Sequence, residues 1–569
     1  MHSSRALNSW CRFVLSGVLC VLICDISLVT AAVFKSPNSD DAAFWHRQAE
    51  TYLKKTLEYE SRRNGAGVAK NVIIFVGDGM GVSSLSTGRI FKGQQAGRAG
   101  EEETLSFDHF PNTGFSKTYN TDRQVPDSAG TATAMFTGIK TKSGVIGVDF
   151  TVTETNEEAA SVSSIMEWAQ AVGKRTGIVT TTRVTHATPA AAFAHSFNRN
   201  WECDAKIPAN LLNKTKDIAR QLVEHAPGNK FNVILGGGRS EFGVPIPDHS
   251  KLQLRINGSM DKPCARTDGR DLVKTWLADK NDSSAAYVWN TSQLLNAEVD
   301  DLEYLLGLFA DEHMSYETIR DKSTGGEPSL SDMTEKAIRM LQRKHSKGFV
   351  LMVEGGRIDH GHHQNIPRLA LAEVVELDRA VERALSMVDL EETLVIVTAD
   401  HSHVLTFNGY PERGNDILGF GNKADKLPYE TITYANGPGF RTHRANDSSQ
   451  EEKRYDTWVP VETMDRSPID YRHLSTFPMD DETHGGEDVA VFAAGPGSAL
   501  VRGTFEQNYI AYVMSYAGCM GPARKLNKGC SHYWWSSSGA GSVGAFSWVV
   551  NRLLISIVSV AFAKLCHTF

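Results

Sequence analysis

Asn71-Val72-Ile73-Ile74-Phe75-Val76-Gly77-Asp78-Gly79 reads as a strand that is apolar on both faces and stops at an aspartate between two glycines. A run with no polar face predicts a strand in the middle of a covered sheet, not one with a solvent side. Similar runs recur at residues 177–181, 232–235, 349–353, 394–398 and 489–493. Helical patterns lie between them, over 161–172, 217–225, 332–344 and 369–388. The alternation predicts an α/β fold: a large, mostly parallel central sheet sandwiched between helices. No internal repeat interrupts it. Residues 408–478 are rich in Gly, Pro and charge without steady periodicity, which predicts a crown-like insertion on the rim of a main domain spanning 66–535. Residues 40–60 read as an amphipathic helix within an N-terminal arm, 33–65.

The composition bounds the function classes. The chain has 569 residues, 41% hydrophobic and 22% charged, enough for one large domain with insertions. A net charge of −8 leaves no basic footprint for nucleic acid. The first 32 residues combine Arg5 and Arg12, an apolar run from Phe13 to Ile23 and small residues at Ala31-Ala32, the pattern of a removed signal peptide. A signal anchor is the competing reading, against which stand the shortness of the run and its interruption by Asp25. Residues 536–569 place small residues, a spacer and a terminal apolar tail in the order of a GPI-attachment signal. The apolar stretch after Arg552 is about half the ~20 residues a bilayer span needs. Attachment is expected near Ser537, Ser538 or Gly539.

Cysteine usage fits export. Cys11, Cys20, Cys24 and Cys566 fall in the segments expected to be removed, which leaves Cys203, Cys264, Cys519 and Cys530. Three pairings are open; short-range closure favours Cys519 with Cys530, leaving Cys203 for Cys264. Sequons at Asn213, Asn257, Asn281, Asn290 and Asn446 agree with a surface glycoprotein.

The chemistry-bearing residues gather at strand ends, where parallel sheets bind ligands. Asp78 follows the first strand, Glu354 follows 349–353, and Asp400-His401 follows 394–399, while His484 precedes the strand at Val489. A lone aspartate after a strand is more often a turn or cap; the joint occurrence changes the reading. Asp359 and His363, four apart, share one helical face and can aim at one ion. A nonspecific surface metal patch is the competing reading of this His-rich tract. Nitrogen and carboxylate donors without thiolate suit catalytic zinc, and all-oxygen sets suit magnesium. Ser128, in Pro126-Asp127-Ser128-Ala129-Gly130, would open a helix whose N–H groups point at a phosphate. On that segment alone a plain helix cap is the stronger reading. No G-x-S-x-G elbow surrounds Ser128, so metal activation suits it better than a Ser-His-Asp triad.

The strings Phe75 to Gly81, Asp127-Ser128-Ala129, Asn198 to Trp201, Glu354 to His363, Thr398 to His403 and Thr483 to Asp488 resemble, in family order, the animal alkaline phosphatases, most nearly the membrane-bound, GPI-anchored insect members. The resemblance runs from about residue 40 to residue 530. It implies hydrolysis of phosphate monoesters, two Zn2+ and one Mg2+ per subunit, and a homodimer anchored on the extracellular face of the plasma membrane. Ser128 would be the phosphorylated nucleophile and Arg199 the grip on two phosphate oxygens, with Asp127 beside them. Asp359, His363 and His484 would hold one zinc; Asp78, Asp400 and His401 the other. Magnesium would share Asp78 and use Glu354 and Thr188, with His186 close by. The sequence departs from the vertebrate pattern at Ala310, where those relatives have a calcium-binding glutamate, so that site is not carried over.

Two further classes compete with this reading. A sulfatase would need C-x-P-x-R, and Cys519-Met520-Gly521-Pro522-Ala523-Arg524 has one residue too many; diesterases usually present threonine as nucleophile. A surface binding protein that has lost catalysis would lack the nucleophile or a ligand, and all the mapped ones are present.

Overall fold

The structure is a computed structural model and describes residues 67–245, 264–280, 284–343, 346–421, 428–444 and 458–531. The signal peptide, the N-terminal arm, the GPI-attachment segment with Ser537, Ser538 and Gly539, and the sequons at Asn257, Asn281 and Asn446 lie outside the described residues.

Strands β1 (Asn71–Gly77), β2 (Asn112–Lys117), β3 (Arg175–Arg183), β4 (Val233–Gly237), β5 (Ala285–Val288), β6 (Tyr304–Leu308), β7 (Phe349–Gly355) and β8 (Thr393–Ala399) join β14 (Val489–Ala494) and β15 (Gly503–Glu506) in a ten-stranded sheet of order β15-β2-β14-β8-β1-β7-β3-β4-β6-β5. Its pairings are parallel except those of β14, which runs antiparallel to β2 and β8. The mostly parallel sheet read from the sequence is therefore the architecture.

β1 is central, and its alternate side chains feed two cores. Val72, Ile74 and Val76 pack on one face and Ile73 and Phe75 on the other, all fully buried. The first face is covered by helices α2 (Ser128–Thr137), α3 (Ile165–Ala171), α5 (Ile218–Glu224) and α9 (Tyr509–Ala517), the second by α6 (Leu330–Leu341) and α8 (Pro367–Leu385). Helix α1 (Val82–Gln95) follows β1 directly, α4 (Ala187–Ala190) is a single turn after β3, and α7 (Arg357–His363) follows β7.

Capping fixes where the helices begin. The 161–172 pattern gives a helix only from Ile165, because Ser164 caps the Glu167 N–H while Ser161 is held in a bridge to Val148. Asp217 caps α5, Ser329 and Asp332 form a capping box on α6, and Pro367 opens α8 at a position that needs no N–H.

Two small sheets sit at the C-terminal edge of the parallel strands. β9 (Ser402–His403) pairs antiparallel with β13 (His484–Gly485), setting His403 opposite His484. β10 (Leu405–Phe407), β11 (Ile432–Gly437) and β12 (Ser475–Pro478) form a three-stranded sheet to which residues 408–478 contribute β11 and β12. The cysteines pair as Cys203–Cys264 and Cys519–Cys530. Asn213 is exposed on a turn, and Asn290 caps a short helix through Gln293 N.

Ile74 lies at the centre of the sheet with no exposed surface. Ile74→Ala is expected to destabilise the fold by about 2–5 kcal/mol, read from the denaturant midpoint of the purified protein.

Candidate active site

In-register pairing at the middle of the sheet builds the site. Val76 lies opposite Glu354 on β7, and Gly77 lies opposite Ala399 on β8, so the residues just beyond bring Asp78, Glu354 and Asp400 together at one edge. Gly79 (φ 69°) turns the chain there and donates its N–H to Asp400 Oδ1 at 3.0 Å. A side chain at Gly79 would collide with the His403 ring, so the close approach requires glycine. Because β14 runs antiparallel, its entry lies at the edge where β8 ends, which is how His484 reaches the same place.

The donors expected for one zinc, Asp359, His363 and His484, are gathered together. His363 Nε2 and His484 Nε2 lie 3.3 and 3.2 Å from Asp359 Oδ1 and 3.2 Å from each other. The donors expected for the second also meet: His401 Nε2 is 3.2 Å from Asp400 Oδ2 and 3.4 Å from Asp78 Oδ1. Asp78 and Glu354 form a third group with His186, whose ring nitrogen could serve beside them as a donor. Thr188 is fully buried on α4.

Hydrogen bonding orients the three expected histidine ligands alike. His363 Nδ1 faces Glu482 O at 2.5 Å, His484 Nδ1 faces Pro126 O at 2.8 Å, and His401 Nδ1 faces Ser402 O at 3.3 Å. A carbonyl only accepts, so each Nδ1 carries a proton, and in the neutral ring the Nε2 lone pair points inward. Ligating histidines are held in this way. Asp78 Oδ1 and Oδ2, Glu354 Oε1 and Thr188 Oγ1 are buried without a hydrogen-bond partner among the described residues. Oxygens left bare beside inward imidazole lone pairs fit divalent cations.

The electrostatics agree. Burial, reinforced by Asp400, Asp359 and Glu354, pushes the Asp78 carboxyl well above its ordinary value. Burial raises Glu354 to about 7, opposed by Thr180 and aided by Asp400. Burial raises Asp400 to about 6 against the Gly79 N–H. Burial and His484 hold His401 well below its usual range, hence neutral.

Ser128 is the first residue of α2 and is 2% exposed. Its Oγ lies 3.0 Å from His401 Nε2, which puts the hydroxyl against the second donor set. Asp127 caps α2 through Gly130 N at 3.1 Å and accepts from Gly144 N at 3.0 Å and Arg199 Nη1 at 3.2 Å. Burial would raise Asp127, but Arg199 and those N–H groups outweigh it and the net shift is downward. Arg199 Nη2 contacts His186 Nε2 at 3.1 Å, so Asp127 and His186 hold the two arms of one guanidinium.

Two residues escaped the sequence reading. Buried His403 lies with Nε2 2.8 Å from Asp359 Oδ1 and Nδ1 2.5 Å from Glu482 Oε2. Burial lowers its pKa, but the two carboxylates prevail and raise it to about 10. It bridges Asp359 and Glu482 and so fixes the carboxylate that His363 and His484 also approach. The sequence signal was present in the second histidine of His401-Ser402-His403 and in Glu482, two residues before His484. A further cluster, His186, His313 and His360, is met by guanidinium nitrogens of Arg199, Arg183 and Arg357 at 3.1, 2.8 and 3.1 Å. So cationic a ring of neighbours disfavours another metal ion there. Ala310 lies buried in the chain next to Asp311, which pairs with the fully buried Arg239.

The family model for alkaline phosphatase matches residues 69–520. The chain belongs to the alkaline phosphatase family. It is 52% identical over 514 residues to Alkaline phosphatase 4 of Drosophila melanogaster, covering 88% of this chain and 85% of that one. It is 43% identical over 508 residues to the membrane-bound alkaline phosphatase of Bombyx mori, covering 87% and 88%. Among solved structures, alkaline phosphatase from the Antarctic bacterium TAB5 superimposes with a TM-score of 0.53 at 25% identity, covering 80% of this chain and all (100%) of that one. The protein is thus a metal-dependent phosphomonoesterase of this family.

Three carboxyls raised by burial and mutual repulsion make the metal-free protein pH-sensitive. Acids whose folded pKa exceeds the unfolded one stabilise the fold at low pH, and that contribution is lost as pH rises through the folded value. Calorimetry of chelator-stripped protein should show falling stability from about pH 4 to above pH 7. Restored zinc and magnesium should raise the unfolding temperature most at the alkaline end.

Proposed function

We propose that this alkaline phosphatase cleaves phosphate monoesters to an alcohol and inorganic phosphate through a phosphoserine at Ser128, with two zinc ions and one magnesium ion per subunit. The observation that carries the reading is the 3.0 Å approach of Ser128 Oγ to His401 Nε2, which sets the hydroxyl beside Asp78 and Asp400. Asp359, His363 and His484 would hold one zinc, and Asp78, Asp400 and His401 the other. Asp78, Glu354 and Thr188 would hold magnesium, with His186 alongside. When bound, the cations would supply charge neutralisation for the phosphoryl oxygens and leaving group and lower the Ser128 pKa.

The chain's own groups do the rest. Asp127 and His186 each hold one arm of Arg199 and so fix the plane of a guanidinium whose remaining N–H groups would grip two phosphate oxygens. The first N–H groups of α2 add positive potential at the oxygen that attacks. Ser128 Oγ attacks phosphorus in line, the alcohol departs opposite it, and water then cleaves the phosphoserine to return the free hydroxyl.

The same proposal extends to the whole chain. Residues 1–32 are a signal peptide and 33–65 an N-terminal arm; 66–535 form the catalytic domain with a crown at 408–478, and the tail after about residue 536 is exchanged for a GPI anchor. The enzyme then stands as a glycosylated homodimer on the outer face of the plasma membrane. The membrane-bound name of the silk-moth relative supports attachment. No helix of the described residues is long and apolar enough to cross a membrane. Tyr410, 95% exposed with φ 55°, and the exposed Phe477 offer apolar anchors for a second subunit.

Ser128→Ala is expected to lower aryl phosphate turnover by about 10³-fold or more while leaving zinc content intact. Normal turnover by that variant would end the assignment. Arg199→Lys should reduce kcat/KM about 10- to 100-fold, since one ammonium cannot span two oxygens. Aryl diester and aryl sulfate should be poor substrates beside aryl phosphate. On cells expressing the full chain, phosphatidylinositol-specific phospholipase C should release surface activity into the medium. Activity that stays with the cells would refute the anchor.

A further inference from the structure

Helix α7 presents Asp359 and His363 to the metal-donor group, and its flanking residues are held from outside the helix. His362 is fully buried, with Nε2 2.9 Å from Ser84 Oγ on α1 and Nδ1 3.0 Å from Tyr434 OH on β11. We infer that Ser84, His362 and Tyr434 form a positioning relay that sets α7, and with it Asp359 and His363, so that the small sheet of β10–β12 acts as a clamp on the first zinc. This inference rests on the reading of Asp359 and His363 as zinc ligands.

The chemistry of the ring makes the relay orientation-specific. The ring presents one nitrogen to each hydroxyl, and a neutral imidazole has one N–H and one lone pair to offer them. In either tautomer one hydroxyl accepts from the ring and the other donates to it. Turning the ring over would place carbon atoms against both hydroxyls and strand two buried polar groups. Both nitrogens are engaged by hydroxyls, so His362 is not a ligand despite lying in the same His-rich tract as His363.

The same segment grips the turn after α7. Asn365 is fully buried with φ 55°. Its amide donates to Asn436 O at 3.2 Å and accepts from Gly439 N at 2.8 Å, and its carbonyl accepts from His473 N at 2.8 Å. Gly437 (φ 130°) lies so close that a side chain would strike the Asn365 amide. Arg472 donates to Gln364 at 3.0 Å, and Glu482 N donates to His363 O at 2.9 Å. Residues 362 to 365 each meet a partner from 434–482, a density of contact expected of a mount rather than a covering loop.

The test uses the full purified enzyme, wild type, Tyr434→Phe and Ser84→Ala, stripped by chelator and titrated with zinc at fixed magnesium. Each variant should bind zinc about tenfold more weakly in competition with a chromophoric chelator, and need about tenfold more zinc for half-maximal aryl phosphate hydrolysis, with maximal rate recovered at saturating zinc. The double variant should be shifted little further, because both hydroxyls act through one ring. Unmoved zinc half-saturation in Tyr434→Phe overturns the relay, and so does a loss of rate that zinc does not restore. Should Ser84→Ala fail to fold, Tyr434→Phe decides alone, since it removes one oxygen from an otherwise unchanged side chain. Wild type that remains fully active after complete zinc removal would sink the ligand reading itself. Zinc-dependent wild type beside unmoved variants sinks only the relay.

Discussion

Like charges buried together are the constraint on which this molecule turns. Asp78, Glu354 and Asp400 have no exposed surface, and register between β1, β7 and β8 leaves them no freedom to separate. Carboxylates cannot all ionise in such a place unless cations join them. Hydrogen-bond relief reaches Glu354 from the Thr180 and Thr182 hydroxyls and Asp400 from the Gly79 and His401 N–H groups, and among the described residues it does not reach Asp78. Arg199 is committed to Asp127, and the bare oxygens of Asp78 find no donor among the described residues. What the fold provides is a rigid frame with both faces of the sheet packed, so that the electrostatic cost cannot be evaded by relaxation.

The frame was legible where the signal was local. Continuous apolar runs such as 349–353 and 394–398 have one physical meaning, and the polar residue that ends each is visible at once. Ser128 was legible as a helix start because Asp127 precedes it. The strands toward the two ends of the sheet were not. Asn112–Lys117 alternates buried and exposed positions with only Phe115 as a large apolar residue, and it is a strand because β14 and β15 pair with it. β5 and β6 were likewise missed, being short segments whose pairing, β6 with β4 and β5 with β6, is set by tertiary context. The direction of β14 cannot be read from its residues, yet that direction delivers His484.

Within the site, donors that sit at strand ends could be named from the sequence, and groups that act through another side chain could not. His403 and Glu482 lie 79 positions apart and meet only because β9 pairs with β13. Ser84 and Tyr434 are ordinary residues of a helix and a strand until both are found against His362. Ligand identity is a property of residue type and spacing, while ligand orientation belongs to the packed fold.

The insertion between His403 and His484 shows how closely the two are linked. Those histidines face each other across β9 and β13, so residues 404–483 form a loop closed at its base by the metal-donor group. Closing a loop of that length costs roughly 4 kcal/mol plus a constant if the chain is flexible, whereas one already ordered by β10, β11 and β12 costs far less. The ordered sheet therefore prepares the site by bringing His484 back to Asp359. In the other direction, a cation shared by His484 and Asp359 would hold the base of the loop shut. Residues that look peripheral in sequence thus belong to the same cooperative unit as the ligands. A change in this segment that weakens its sheet should reach the chemistry first through His484, Glu482 and the His403 they hold in place.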